Sequence, residues 1–335
     1  MSKLLHFCAE EVTRLFPPFL VHLEALKETM IEYSVKESIV QPVRQQLTVP
    51  NTADRFISMP ACVPSRGVMG IKVICAVPSN KEKCLPTHLG CIQLYGLTGE
   101  LLCQMDAEEI TAKRTAICSA LASKALANPD SKILAVIGAG VQAESHIQAL
   151  SQLFNFSEIR VWNRTKSRAE KLVRELHDVG NFNLCVSDTV GSACSDADIV
   201  CTVTSSSEPV LFKDHVKPGQ LSYRVTVLFK DHVKPGAHVN VVGASSPTTR
   251  EVGDDLMLSD NLVIVADCLN AIKLESGDVI QSGAAPHHEL GHVLHFPLSR
   301  DPDQITLFKN LGLACQDVVT AHLIYKQYLS ESTRS

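Results

Sequence analysis

Apolar residues recur along this chain in two rhythms, one helical and one alternating, and the rhythm changes from region to region. Residues 1–36 carry the helical spacing. Ala9-Glu10-Glu11-Val12 opens a first helix, Pro17-Pro18 interrupts it, and Leu20, Leu23, Leu26 and Met30 place a second over Phe19 to Tyr33. Residues 39–105 read instead as short strands between turns: Gln45 to Val49, Phe56 to Met59, Gly70 to Ala76, Leu89 to Tyr95 and Leu101 to Met105. Gly96 and Gly99 punctuate the last two strands as a hairpin loop would. Ile110 to Ala127 is Ala-rich and free of Gly and Pro, which predicts a long helix ended by Asn128-Pro129. Strands then alternate with helices: Ile133 to Ile137, Ile159 to Trp162, Asn183 to Val186, Asp198 to Thr204, His238 to Ala244 and Leu262 to Ala266. Such alternation means a parallel, doubly wound sheet. A last helix, Leu313 to Tyr328, lies beyond that sheet and is free to return to the first region.

The most informative unit is the strand–turn–helix–strand from Lys132 to Arg168. The turn Gly138-Ala139-Gly140-Val141-Gln142-Ala143 follows G-x-G-x-x-A. Gly138 permits the sharp turn, Gly140 lets backbone approach a pyrophosphate, and Ala143 permits close helix–strand packing. The helix start then offers free N–H groups to phosphate. At the end of the second strand, where an acid usually holds a ribose 2′-hydroxyl, stand Asn163-Arg164-Thr165. An acid would repel a 2′-phosphate, whereas a guanidinium grips it, so the expected cofactor is NADPH.

Composition narrows the picture little. At 335 residues, 45% hydrophobic and 20% charged, the chain has room for two domains of ordinary globular make-up. A net charge of −5 gives no electrostatic case for nucleic acid or an anionic membrane. No apolar run approaches a membrane span, and the acidic residues by position 10 exclude a secretory signal. The twelve cysteines form no C-x-x-C and lie mostly in apolar runs, which reads as reduced core thiols in a cytoplasmic protein.

A literal repeat interrupts the second region. VLFKDHVKPG occurs at Val210–Gly219 and again at Val227–Gly236, offset by 17 residues. One copy suffices to cross between neighbouring strands, so the extra 17 residues within 210–236 are a tandem duplication expected to loop out.

With these pieces placed, the chain resembles the ornithine cyclodeaminase/mu-crystallin family, and its mu-crystallin branch most. The carriers are Gln41-Pro42-Val43-Arg44, Met59-Pro60-Ala61, Lys72 in GIKV, Met105-Asp106, Ile110 to Ala116, GAGVQA and WNRT. Lys217-Pro218-Gly219, VGAS at 242–245, ESGDV at 275–279 and LFKNLGLACQD at 307–317 complete them. The resemblance implies a Rossmann-type doubly wound parallel sheet plus an α+β substrate and dimerisation domain. Residues 1–112 with 313–335 would form the latter and 113–312 the NADP-binding domain. It implies a homodimer, and NADPH-dependent reduction of cyclic ketimine acids to cyclic imino acids. Thyroid hormone binding at the same site, with or without turnover, is implied as well, as are the alanine dehydrogenase and ornithine cyclodeaminase activities of other members. Cyclodeaminases carry a catalytic Asp where this chain has Ser245, and an acid where it has Asn163-Arg164.

The resemblance places Arg44, Lys72, Arg114 and Ser245 at the substrate, with Lys72, Arg114 and His88 as catalytic candidates. A carboxylate suits cations, with Arg as a bidentate clamp and Lys as a point charge. His88 or Lys72 would donate the proton and Asp278 would balance charge. Cofactor contacts carry over to Thr87, His88, Arg114, Gly138, Ala139, Gly140, Val141, Gln142, Asn163, Arg164, Thr165, Thr204, Ser205, Val242 and Leu311. One rival pattern is His288-Glu289-Leu290-Gly291-His292, an H-E-x-x-H. A zinc protease needs it on one long helix with a third ligand. Here Pro286 and Pro297 bracket it, so no metal site is expected beyond fortuitous binding by His287, His288, His292 and His295.

Overall fold

The structure, a computed structural model, describes residues 5–83, 85–180, 182–204, 230–299 and 301–333. The chain divides into two compact units, Met1–Cys118 with Gly312–Ser335, and Ser119–Leu311.

The first unit is built on a six-stranded sheet. Its elements are β1 (Leu5–Phe7), α1 (Ala9–Arg14), α2 (Phe19–Ser34), β2 (Gln45–Thr48), β3 (Arg55–Val63), β4 (Val68–Ala76), β5 (His88–Gly96) and β6 (Leu101–Asp106). The strand order is β1-β6-β5-β4-β3-β2, antiparallel except that β1 runs parallel to β6. The alternation of β3 and β4 puts one face inward, with Ile57, Met59, Ala61 and Val63 buried beside Val68, Gly70 and Lys72. The C-terminal helix, Ala314–Ser332, packs against strands β3, β4 and β5. Gly70 lets it approach, since a Cβ there would lie 3.0 Å from the Val318 side chain. Strand β1 corrects the all-helical reading of residues 1–36. Three residues hold too short a pattern to show a period, and Leu5 to Phe7 become a strand by pairing with Cys103 to Met105.

The second unit begins within α3 (Glu108–Leu126). Then come β7 (Ile133–Ile137), α4 (Val141–Leu150), β8 (Glu158–Trp162), α5 (Lys166–His177), β9 (Leu184–Val186), α6 (Val190–Cys194) and β10 (Ile199–Thr202). After these follow β11 (His238–Val241), α7 (Asp254–Met257), β12 (Leu262–Ala266), α8 (Leu269–Glu275), α9 (Gly277–Ser282), β13 (His288–Glu289), α10 (Leu290–His295) and β14 (Ile305–Lys309). The eight strands are all parallel, in the order β13-β12-β14-β11-β10-β7-β8-β9. The order reverses at β7, which lies between β8 and β10, and ligands of such sheets bind at the carboxyl edge of that switch point.

Most of the duplicated stretch, including Val210–Gly219, lies outside the described residues. The tail of the second copy is described: Lys234 Nζ pairs with Asp198 Oδ1 at 2.6 Å, just ahead of β10, and Gly236 precedes β11. Because Ile199 pairs with His238, this tail lies at the amino edge of the two strands, opposite the switch-point rim. Among the described residues no helix is long and apolar enough to cross a membrane.

Candidate functional site

The glycine turn follows β7 directly. Gly138 sits at φ +130°, and a Cβ there would lie 2.8 Å from the Val203 carbonyl, so the sharp turn needs glycine. Nothing lies within 4 Å of a Cβ built on Gly140, which caps α4 without a side chain. That leaves open space above the first-turn N–H groups, as a bound pyrophosphate requires, with Val141 exposed beside it. Ala143 is fully buried, giving the close packing of helix on strand. His146 secures the turn from within: its ring meets the Gln142 carbonyl at 2.7 Å through Nδ1 and Ser119 Oγ at 2.8 Å through Nε2. Burial lowers the His146 pKa to about 4, so the ring is neutral.

Past the end of β8, Asn163 donates to the Thr165 carbonyl at 2.9 Å and Arg164 is exposed. Lys166 is already engaged with Asp188 at 2.6 Å, whereas Arg164 makes no ion pair with any described residue. These residues fit an NADP(H): Gly138 to Gln142 would hold the pyrophosphate and Arg164 the 2′-phosphate.

The second cluster belongs to the first unit. Lys72 projects from the buried face of β4, and its Nζ lies 2.6 Å from Asp317 Oδ2 on the C-terminal helix. Arg114 Nε meets Asp317 Oδ1 at 2.9 Å, and its Nη1 donates to Gln316 Oε1 at 3.0 Å. Gly312 makes room for that guanidinium, since a Cβ there would meet Arg114 Nη1 at 2.2 Å. Arg44 donates to the Gly312 carbonyl at 3.1 Å, and the Cys315 N–H donates to Gln41 Oε1 at 2.9 Å, fastening the Gln41–Arg44 segment to the start of the same helix. Burial, then Arg114 and Arg44, lower the Lys72 pKa to about 7 against the opposing pull of Asp317.

Two cations, Lys72 and Arg114, therefore converge on one carboxylate. Asp278, expected to balance charge, lies in the other unit and pairs with Lys309 at 3.1 Å. His88 stands apart. It pairs with Ala76, four residues along β4 from Lys72, which is roughly 13 Å of strand, and is exposed with its ring 3.2 Å from Thr87 Oγ1.

At the rim of the parallel sheet a buried network went unread in the sequence. Glu251 Oε1 accepts from Thr204 N at 2.8 Å and Thr204 Oγ1 at 2.7 Å, while Oε2 accepts from Thr202 Oγ1 at 2.9 Å. Asp278 Oδ1 accepts from the Glu251 and Val252 N–H groups at 2.7 and 3.0 Å, and Lys309 donates to the Gly243 carbonyl. Burial raises the Glu251 pKa, Lys309 lowers it and Asp278 raises it. Thr204 thus spends its N–H and hydroxyl inside the protein. Val242 donates to the Thr202 carbonyl at 2.9 Å, and Ser245 is exposed on the loop that follows. Leu311 is buried, its N–H donating to Asp267 Oδ2 at 2.8 Å, and Ser205 lies outside the described residues. No short sequence pattern announces Glu251 or Asp317, whose partners come from distant parts of the chain.

The H-E-x-x-H segment lacks the zinc-protease geometry. His288 and Glu289 form strand β13, His292 lies on α10, and Glu289 Oε1 accepts from the Leu269 N–H at 2.8 Å. The two histidines therefore do not share one helical face.

A doubly wound parallel sheet with a glycine turn ahead of a helix, carried on one chain with a unit that buries a cationic cluster, defines a two-domain dinucleotide-binding α/β protein. The chain belongs to the ornithine cyclodeaminase/mu-crystallin family, whose model matches residues 17–225 and 221–332. The two matched segments overlap within the duplicated stretch. The chain is 37% identical over 293 residues to the ketimine reductase mu-crystallin of Mus musculus, covering 87% of this chain and 86% of that protein. Its fold resembles Thermococcus litoralis Δ1-pyrroline-2-carboxylate reductase, solved with NADH and L-proline, at a TM-score of 0.87 and 26% identity over 98% of both chains. It also resembles an archaeal alanine dehydrogenase dimer with bound NAD, at a TM-score of 0.84 and 27% identity over 98% of this chain and 97% of that one.

Proposed function

We propose that the chain reduces cyclic ketimine acids, Δ1-piperideine-2-carboxylate and Δ1-pyrroline-2-carboxylate, to cyclic imino acids with NADPH. The observation that carries this reading is the convergence of Lys72 and Arg114 on the single buried acid Asp317, with Arg44 fastened to the Gly312 carbonyl at the start of the same helix. One carboxylate cannot neutralise both Lys72 and Arg114, and a substrate carboxylate would complete the balance. The names of the relatives, ketimine reductase and pyrroline-2-carboxylate reductase, support the same reading.

Reduction of C=N needs a hydride at carbon and a proton at nitrogen. The nicotinamide, when bound, supplies the hydride. Arg44 and Arg114 offer forked donors for the substrate carboxylate. Lys72, with a pKa of about 7, can hold a proton at neutral pH and release it to an imine nitrogen that gains basicity as the double bond is lost. Asp317 orients both Lys72 and Arg114. Ser245, in place of an acid, leaves no carboxylate there for ornithine cyclisation.

The assay is NADPH oxidation with each ketimine. Lys72→Met and Arg114→Lys should each cut kcat/KM for the ketimine by about a hundredfold while changing NADPH affinity less than about threefold. Unchanged kcat/KM in both variants would place the substrate elsewhere. An iodothyronine carries an amino-acid carboxylate that the same cations could hold, so competition by thyroid hormone in this assay tests the carrier reading.

The dimer belongs to this reading too. Leu47, Phe56, Cys75 and Leu89 form a continuous cross-strand row over β2, β3, β4 and β5 on the face opposite Lys72. Leu47, Phe56 and Leu89 are 70%, 44% and 52% exposed, an apolar row suited to a second copy of this chain.

A further inference from the structure

Glu251 takes no part in the chemistry above, yet its carboxylate sits where two strands of the parallel sheet give out. Thr202 is the last residue of β10 and Val241 the last of β11, and these neighbours end at the rim where ligands of such sheets bind. The sheet hydrogen bonds run on through Val203 N–H to the Ile137 carbonyl and Val242 N–H to the Thr202 carbonyl, both at 2.9 Å, and Gly243 N–H to the Thr202 carbonyl at 3.4 Å. At Thr204 Glu251 takes over on the β10 side, holding the Thr204 N–H and hydroxyl at 2.8 and 2.7 Å. On the β11 side Gly243 lies against the same carboxylate, since a Cβ there would be 2.4 Å from Glu251 Oε1 and from the Thr204 carbonyl. Lys309, from the end of β14, holds the Gly243 carbonyl and is itself held by Asp278, which also grips the Glu251 N–H. Three ionisable groups, each no more than 1% exposed, are thus spent on joining two strand ends. Buried ions are a costly way to gain stability alone, which points to a demand for precise geometry at this rim.

We propose that Glu251 is a positioning residue for hydride transfer: through Thr204 and Gly243 it fixes the backbone that would face the nicotinamide half of the cofactor. This rests on the dinucleotide-dependent reading above. Glu251→Gln keeps an acceptor for the Thr204 N–H and hydroxyl and sets an amide donor against the Thr202 hydroxyl, which can turn to accept, whereas Glu251→Ala removes both contacts. In Glu251→Ala, affinity for 2′,5′-ADP, which probes only the adenosine half, should stay within about twofold. The fluorescence change of NADPH on binding should be largely lost. The kcat for Δ1-pyrroline-2-carboxylate should fall about thirtyfold with KM moving less than about threefold, and Glu251→Gln should recover to within about threefold of the unmutated protein. Should the alanine variant not fold, Thr204→Val and Thr202→Val carry the same readouts, each with a smaller loss of kcat. A folded Glu251→Ala protein with unchanged fluorescence and kcat overturns the proposal, as does a parallel loss of 2′,5′-ADP affinity and kcat. Failure of the unmutated protein to reduce ketimines would instead defeat the underlying reading, and the NADPH fluorescence of the variants would still decide the role of Glu251.

Discussion

Lys72 makes the proposed substrate cluster sensitive to pH. Its pKa of about 7 lies below the ordinary 10.5 because burial penalises the ammonium. As pH rises through about 7 the cluster loses one positive charge, so kcat/KM for a ketimine carboxylate should fall on that side. Lys72→Met should abolish that limb of the profile. For stability the sign runs the other way. Between about 7 and 10.5 the unfolded chain holds a proton that the folded Lys72 does not, so this residue's contribution to stability rises with pH across that window. Thermal melts of the native protein and Lys72→Met across the same range check the sign. At the other end of the chemistry, Arg164→Ala should erase a preference for NADPH over NADH of at least about tenfold, roughly 1.4 kcal/mol, measured by titrating both cofactors. Arg44, Lys72 and Arg114 were legible through the resemblance. Asp317 stood at the end of a quoted segment without a role, because its meaning depends on Arg114, 203 positions earlier in the chain.

Among elements, the glycine turn was readable because its chemistry is local: Gly138 and Gly140 act on their own neighbours. Strand β14 was not. Ile305 to Lys309 is buried throughout and pairs with β11 and β12, yet five apolar-rich residues carry no period to distinguish strand from helix. Strands β1 and β13 are shorter still and exist through their partners. Sheet faces hold more information than strand boundaries. The row through Leu47, Phe56, Cys75 and Leu89 leads us to expect that Phe56→Asp shifts the protein to monomer in sedimentation experiments while leaving 2′,5′-ADP binding in the other unit unchanged.

For the whole molecule, the duplication is the feature that sequence poses most sharply. Lys230 to Gly236 of the second copy already serve the crossover: Lys230 N–H donates to Asp255 Oδ2 at 2.8 Å, and Lys234 pairs with Asp198. Removing Gln220 to Gly236 joins Gly219 to Ala237 and leaves one copy with identical side chains for those contacts. That deletion should keep NADPH affinity within about twofold and leave the melting temperature unchanged or raised. A folded deletion variant that no longer binds cofactor would show the extra segment to be part of the site.

The division of the chain also imposes a timetable. The first unit takes its opening residues from one end of the sequence and Gly312–Ser335 from the other, so the ribosome makes Lys72 and Arg114 long before Asp317. At about 5–20 residues per second, the 203 positions between Arg114 and Asp317 amount to a wait of roughly 10–40 s. Throughout that wait the apolar inner face of β3 and β4 lacks the helix that covers it, and two cations lack their acid. Released chains truncated after Leu311 should be cut readily by protease within residues 40–110, while Ser119–Leu311 already resists. The part of the enzyme synthesised first is thus the last to become native.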